Sequence, residues 1–366
     1  MRAYGAAIRS VVLTVVVLPV AVLLTTSCAG RTHIAPDPQT TVTAIATADF
    51  GSPFDQPRIS IAATEQRVKT SSRYELLRFE FPSNGGNGQP DDMVVVDYHR
   101  STLPGSHPVI IVLPIWGRYV YPSNAVTRTI RQRSNGSVHV LNVLGETFLT
   151  DWAALGFETD KDEFIAILAA GADHEQNTVI DIRRLVDWAE NRHEIDTSGI
   201  GLIGFSHSAI VAPVIAAVDP RIDATVLVMG GAHPHRIIAR CTGPRMTAVQ
   251  EHAADAFGWN RRELEARLEP IFAAMDPANH PGRVDPTAVL IIEAGKDTCI
   301  DSTSRDALWH AMGRPERWVI ETSHKWAFLS MTSLNFNWTR RRIWDFFESR
   351  LAAEPERPSV SGVDRP

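Results

Sequence analysis

Three cysteines in 366 residues leave too little sulfur for a disulfide scaffold or a thiolate zinc site. Positive charge is not in excess either. Lys and Arg number 36 against 42 Asp and Glu, a net charge of −6, so nothing steers the chain onto nucleic acid. No apolar run exceeds 14 residues, which is short for a membrane-spanning helix. Internal repeats and low-complexity stretches are missing from the body of the chain. What remains is ordinary for a globular protein: 44% hydrophobic and 21% charged residues, which excludes a disordered, collagen-like or multi-span membrane chain. The length would suit two or three average domains, but α/β folds often exceed 250 residues as one unit, in the usual range.

The first residues read as an address. Arg2 and Arg9 flank the start of an apolar run from Val11 to Leu24, broken only by Thr14 and Pro19, with the length of a signal-peptide core. It ends in Thr25-Thr26-Ser27-Cys28-Ala29-Gly30. A small residue before a cysteine, after such a core, resembles a bacterial lipoprotein signal, although Thr25 stands where that pattern usually has Leu. The resemblance implies a signal peptide over 1–28 and lipidation of Cys28. It also implies a lipid-anchored protein on the periplasmic side of the envelope, at the outer membrane in a Gram-negative cell. Secretory cleavage after Ala29 and an uncleaved anchor are the alternatives, and all three put the domain outside the cytoplasm. Residues 29–71, rich in Thr, Ala, Ser, Pro and Gln, read as a flexible tether, and 352–366 as a disordered tail.

Between 72 and 351 strand-like and helix-like segments alternate. Tyr74–Phe81 and Met93–His99 read as strands on either side of a Ser/Asn/Gly turn. Val109–Leu113, Val138–Leu144, Ile200–Phe205, Ala224–Met229 and Ala288–Ile292 are apolar runs expected of buried strands, with a last short strand at Trp318–Glu321. Helices are expected at Glu175–Asn191, at the charge-free Ser208–Val218 and at Thr339–Leu351. The pattern predicts an α/β fold with a mostly parallel sheet flanked by helices. Residues 231–286 interrupt it with helical segments at Thr247–Phe257 and Arg261–Met275, and read as a helical lid over the C-terminal edge of the sheet.

Chemistry concentrates at four places. Gly204-Phe205-Ser206-His207-Ser208 joins a strand to a buried helix, the setting of a G-x-S-x-G elbow that presents a serine nucleophile. Ser208 replaces the usual last glycine, and a plain serine helix cap is the bland alternative. Asp297 follows the Ala288–Ile292 strand, where an acid can orient a histidine; Asp301 competes locally but also suits a helix N-cap. His324 lies 27 residues beyond Asp297, past the last short strand, and completes the chain order Ser…Asp…His as general base. Acyl transfer also needs backbone N–H donors aimed at the developing oxyanion. One is expected from His207 and the other from the loop after the Val109–Leu113 strand, either Ile115 or Trp116, since Pro114 has no N–H.

With these motifs the body resembles an α/β-hydrolase over about 280 residues. Leu113-Pro114-Ile115-Trp116-Gly117 and the stretch from Asp276-Pro277 through Asp285-Pro286 resemble dienelactone-hydrolase-like and acetyl-xylan-esterase-like enzymes. Serine in place of the dienelactone hydrolases' cysteine turns the expectation from lactones to general ester hydrolysis. The resemblance implies a serine esterase acting on a small-molecule ester, with Ser206, Asp297 and His324 as a triad. It requires no metal, organic cofactor or obligate protein partner. A peptidase of the prolyl-oligopeptidase type is one rival, although the leader and tether are too short for that family's propeller. A tethered binding protein that has lost catalysis is the other.

Three side readings follow. Cys241 and Cys299 both follow strands near one sheet edge and could pair in an oxidising compartment. His233 and His235 have no acidic or cysteine partner at local ligand spacing, and read as part of an ordinary loop. Trp116, Tyr119, Tyr121, Trp152 and Trp326 lie in or beside the site loops, where they could line a pocket or pack under the lid.

Overall fold

The computed structural model describes residues 30–37, 54, 61–84, 92–115, 121–144, 150–332 and 338–351. The expected signal peptide, Cys28, Trp116, Tyr119 and the tail lie outside these. The strands are β1 (Arg31–Ile34), β2 (Gln66–Thr70), β3 (Tyr74–Pro82), β4 (Met93–Ser101), β5 (His107–Val112), β6 (His139–Val143), β7 (Ile195–Phe205), β8 (Ala224–Val228), β9 (Val289–Ala294) and β10 (Glu316–Ile320). They form one sheet in the order β1-β10-β9-β8-β7-β5-β6-β4-β3-β2. The block β6-β5-β7-β8-β9-β10 is parallel; β4, β3 and β2 extend one side antiparallel, and β1 closes the other antiparallel to β10.

The helices are α1 (Ser123–Ser134), α2 (Trp152–Leu155), α3 (Lys161–Glu190), α4 (Ser208–Val218), α5 (Pro234–Arg240), α6 (Pro244–Phe257), α7 (Arg261–Phe272), α8 (Ser302–Ala311), α9 (His324–Thr332) and α10 (Trp338–Leu351). Because side chains alternate across a strand, each central strand feeds two cores. Val109 and Ile111 of β5, with Ile200 and Leu202 of β7, pack with Val179, Leu185 and Val186 of α3 and Val214 and Ile215 of α4. Ile110 and Val112, with Ile203 and Phe205, pack on the opposite face with Val126 and Ile130 of α1 and Ile343, Trp344 and Phe347 of α10. Every residue of α4 is buried, in keeping with its lack of charge.

The outcome differs from the sequence reading in two respects. The segment read as tether, 29–71, carries the edge strands β1 and β2. Both are almost wholly exposed, so no apolar alternation marks them; backbone pairing joins them to β10 and β3, helped by His33 stacked on Trp318 and by an Arg67–Glu75 ion pair. Helix α3 begins at Lys161, 14 residues before the expected Glu175. Asp160 caps it by accepting from the N–H groups of Asp162 and Glu163. Its first half turns Phe164, Leu168 and Ala172 away from the sheet onto Ile238, Val249, Ala253, Leu264, Leu268 and Phe272. Segment 231–286 therefore has a core of its own, built from α5, α6 and α7 against this half of α3.

A buried histidine makes the fold pH-sensitive. His139 of β6 is 1% exposed, and its Nδ1 accepts from the Ser101 N–H at 3.0 Å while Nε2 faces the Glu194 carbonyl at 2.8 Å. Burial pushes its pKa down to about 4, only partly offset by the Glu194 carbonyl. Unfolded, it returns to about 6.5. A depressed histidine leaves the unfolded chain holding the extra proton between those values. Stability is thus intact above pH ~6.5 and falls by about 3 kcal/mol as the pH drops towards 4. Urea unfolding at pH 7.5 and 4.5 should show at least this loss, because burial also pushes His99 down to about 3. His139→Gln should shrink the difference between the two pH values by about 2–3 kcal/mol, leaving the His99 share. An unchanged difference would contradict it.

Candidate active site

The elbow is set by close backbone approach. A Cβ on Gly204 would lie 2.3 Å from the Ser208 carbonyl oxygen, and one on Gly230 of the next strand end 2.3 Å from that of Ala209, so neither position has room for a side chain. Ser206 sits between β7 and α4 with φ 51°, a left-handed conformation that costs energy in a non-glycine residue. Its N–H donates to the Val228 carbonyl at 2.8 Å. Ser208, which departs from the usual glycine, takes a bonding role. Its Oγ accepts from the Phe205 N–H at 2.8 Å and donates to the Phe205 carbonyl at 3.2 Å, spanning the turn.

Asp297 and His324 reach the same rim. The loop after β9 is tied to the end of β10, with Gly295 N–H donating to Ile320 O and Lys296 N–H to Thr322 O. Asp297, 7% exposed, accepts from the N–H groups of Cys299 and Ile300 on Oδ1, at 2.9 and 3.1 Å. Its Oδ2 lies 2.5 Å from His324 Nδ1. His324 Nε2 lies 2.9 Å from Ser206 Oγ. With Nδ1–H donating to the carboxylate, Nε2 is left to accept the serine proton. Phe328 packs edge-on to the imidazole at 5.1 Å between ring centroids, and Tyr121 Oη donates to the Phe328 carbonyl at 2.9 Å. Asp301, the local competitor, caps α8 by accepting from the Ser304 N–H.

His207 heads α4 directly after the serine, and Ile115 lies just past the end of β5, where Leu113 N–H donates to Ile203 O beside the elbow. Both residues are therefore at the serine's rim. Cys241 and Cys299 form a disulfide that joins the end of α5 to the Asp297 loop. A cavity of about 100 Å³ opens beside Ser206, with Trp152, Ile210, Ile237, Met246, Phe272 and Ile300 among its walls. Of the aromatic residues marked by sequence, Trp152 lines it, whereas Trp326 is 40% exposed on α9.

Three functional placements escape the sequence reading. Glu175 of α3 lines the cavity, with Oε1 2.8 Å from His207 Nε2. Arg305, 6% exposed on α8, donates to the carbonyl of Ile300 at 2.7 Å and braces the Asp297 loop. Asp276 comes to the two histidines from 43 residues away, supplying the acid their local sequence lacks. His233, His235 and Asp276 place one potential ligand atom each within 4.8 Å of one another. The Asp276 carboxylate is already engaged, however, by the backbone N–H groups of His233 and Ala278 and by His233 Nδ1, all at 2.9 Å. Burial raises its pKa, and these donors more than reverse that, leaving it below the usual carboxylate value. The group acts as a turn clamp built around a left-handed His233, φ 59°.

The same architecture occurs in solved structures. Acetyl xylan esterase from Paenibacillus sp. R4 aligns over 82% of this chain and 91% of its own, with a TM-score of 0.59 and 17% identity. The chain has the α/β-hydrolase fold. Acetyl xylan esterase 1 from Thermoanaerobacterium sp. JW/SL YS485 aligns similarly, over 82% and 92%, with a TM-score of 0.60 and 14% identity. Acylaminoacyl peptidase from Pyrococcus horikoshii shares the fold at a TM-score of 0.53 and 13% identity, but the match spans 82% of this chain and 46% of the peptidase. No family model and no curated protein matches the sequence.

Proposed function

We propose that this protein is a serine hydrolase that cleaves carboxylic esters through an acyl-enzyme, held at the cell envelope by a lipid on Cys28. The observation that carries the reading is the continuous relay from Ser206 Oγ through His324 to Asp297, at 2.9 and 2.5 Å. His324 Nε2 takes the Ser206 proton as Oγ attacks the ester carbonyl. Asp297 holds the imidazole in the required tautomer and stabilises the imidazolium. The N–H groups of His207 and of Ile115 or Trp116 receive the oxyanion. His324 then returns the proton to the leaving alcohol as the tetrahedral intermediate collapses to the acyl-enzyme. Water, deprotonated by the same nitrogen, releases the acid and restores the serine. These steps use side chains and backbone amides alone. Segment 231–286, with α5, α6 and α7 over the cavity, serves as the lid that shields it from water.

A fluorophosphonate probe tests the proposal. One equivalent should label the protein at Ser206, label should be lost in Ser206→Ala, and labelled protein should no longer hydrolyse p-nitrophenyl acetate. Labelling elsewhere, or activity that survives labelling, would refute it.

A further inference from the structure

The cavity beside Ser206 is mostly apolar; apart from Ser206 its polar lining comes from Thr150, His207 and Glu175, and only Glu175 is acidic. Glu175 is 7% exposed, yet it stands on the inward stripe of α3, one and two turns before Val179 and Ile182. Oε1 is engaged by His207, but Oε2 is buried without a hydrogen-bond partner among the described residues. An unmet buried carboxylate oxygen is costly, and evolution has an apolar alternative of similar size at such a position. A carboxylate in that position, in the wall of a cavity beside the serine, points to something arriving there that supplies the missing bond.

The geometry also says which part of the substrate arrives. The leaving alcohol must lie within reach of His324 Nε2, which protonates it. Among the described residues, Ser206 lines the cavity, whereas His324 and the rest of α9 do not. The cavity therefore lies on the acyl side of the reacting carbon. At about 100 Å³ it is smaller than the roughly 150 Å³ that holds a benzene ring, a size that suits a short acyl chain.

We infer, building on the esterase reading above, that the preferred acyl group is a short chain bearing a hydroxyl, and that Glu175 is the residue that selects it. The hydroxyl donates to the Glu175 carboxylate while the carbon chain fills the space between Ile210, Ile237 and Phe272. His207 fixes the carboxylate through Oε1, so recognition and the elbow share one hydrogen-bonded unit.

The test compares kcat/KM for p-nitrophenyl 3-hydroxybutyrate with that for p-nitrophenyl butyrate. Wild-type protein should prefer the hydroxyl ester by about tenfold, a difference of about 1.4 kcal/mol. Glu175→Leu and, as a more adaptable apolar replacement, Glu175→Met should bring the ratio to one or below. A purely structural role for Glu175 would lower both rates and leave the ratio alone. A wild-type ratio at or below one, or a ratio unchanged in the apolar variants, overturns the inference. Fluorophosphonate labelling of each protein separates the two levels. A labelled, butyrate-cleaving enzyme with a flat ratio loses only the hydroxyl preference, whereas a wild-type protein that neither labels nor cleaves loses the esterase reading as well.

Discussion

Alanine at position 206 is expected to lower kcat/KM for p-nitrophenyl acetate by at least about 10⁴-fold, the scale seen when a serine nucleophile is removed from a triad. Oγ is the atom that bonds to the acyl group, and no other hydroxyl stands 2.9 Å from His324 Nε2 among the described residues. Asp297→Asn should cost about 10³- to 10⁴-fold by another route. The asparagine amide would donate towards Nδ1, placing the imidazole proton on Nε2, where it can no longer accept from Ser206. The double variant should be little slower than Ser206→Ala, because the residues act as one unit. Initial rates for the three variants check this. Independent, multiplying effects would mean that Asp297 acts outside the relay. The backbone donors of Cys299 and Ile300 hold the carboxylate, so the aspartate's effect is confined to the ring it faces.

Removing the disulfide should have the largest effect on stability. Cys241 and Cys299 close a loop of 58 residues, and the chain-entropy relation assigns such a crosslink about 4 kcal/mol. That is a large share of the roughly 5–15 kcal/mol available to a typical domain. Cys241→Ser/Cys299→Ser should therefore unfold at a much lower urea concentration, and reduced wild-type protein should match it. Activity under native conditions should fall less, because Arg305 and the ties to β10 still brace the Asp297 loop. Coincident urea midpoints for the oxidised, reduced and doubly substituted proteins would show that the crosslink contributes nothing.

The centre of the sheet was legible in the sequence because strands buried on both faces appear as continuous apolar runs, from Val109 to Val112 and from Ala224 to Val228. The edges were not, since Arg31–Ile34 and Gln66–Thr70 bury almost nothing and owe their form to the neighbouring backbone. The sequence shows only the second half of helix α3, because its first half faces a different partner, which changes the apolar stripe midway. The elbow, Asp297 and His324 were found by chain order and strand context, while their distances needed the fold. Glu175 leaves a trace in the sequence: a lone carboxylate in line with Val179, Ile182 and Val186. Asp276 left none, since 43 residues separate it from His233.

The pairing of β1 has a geometric consequence for an anchored enzyme. Arg31 lies opposite Ile320, and the Gly30 carbonyl accepts from the Glu321 N–H at 2.8 Å, so the incoming chain meets the sheet at the rim that carries His324. Cys28 stands two residues earlier, at most roughly 7 Å of extended chain away. Were Cys28 lipidated as proposed, the rim that carries His324 would be the part of the fold joined most directly to the anchor, and hydrolysis would become an interfacial reaction.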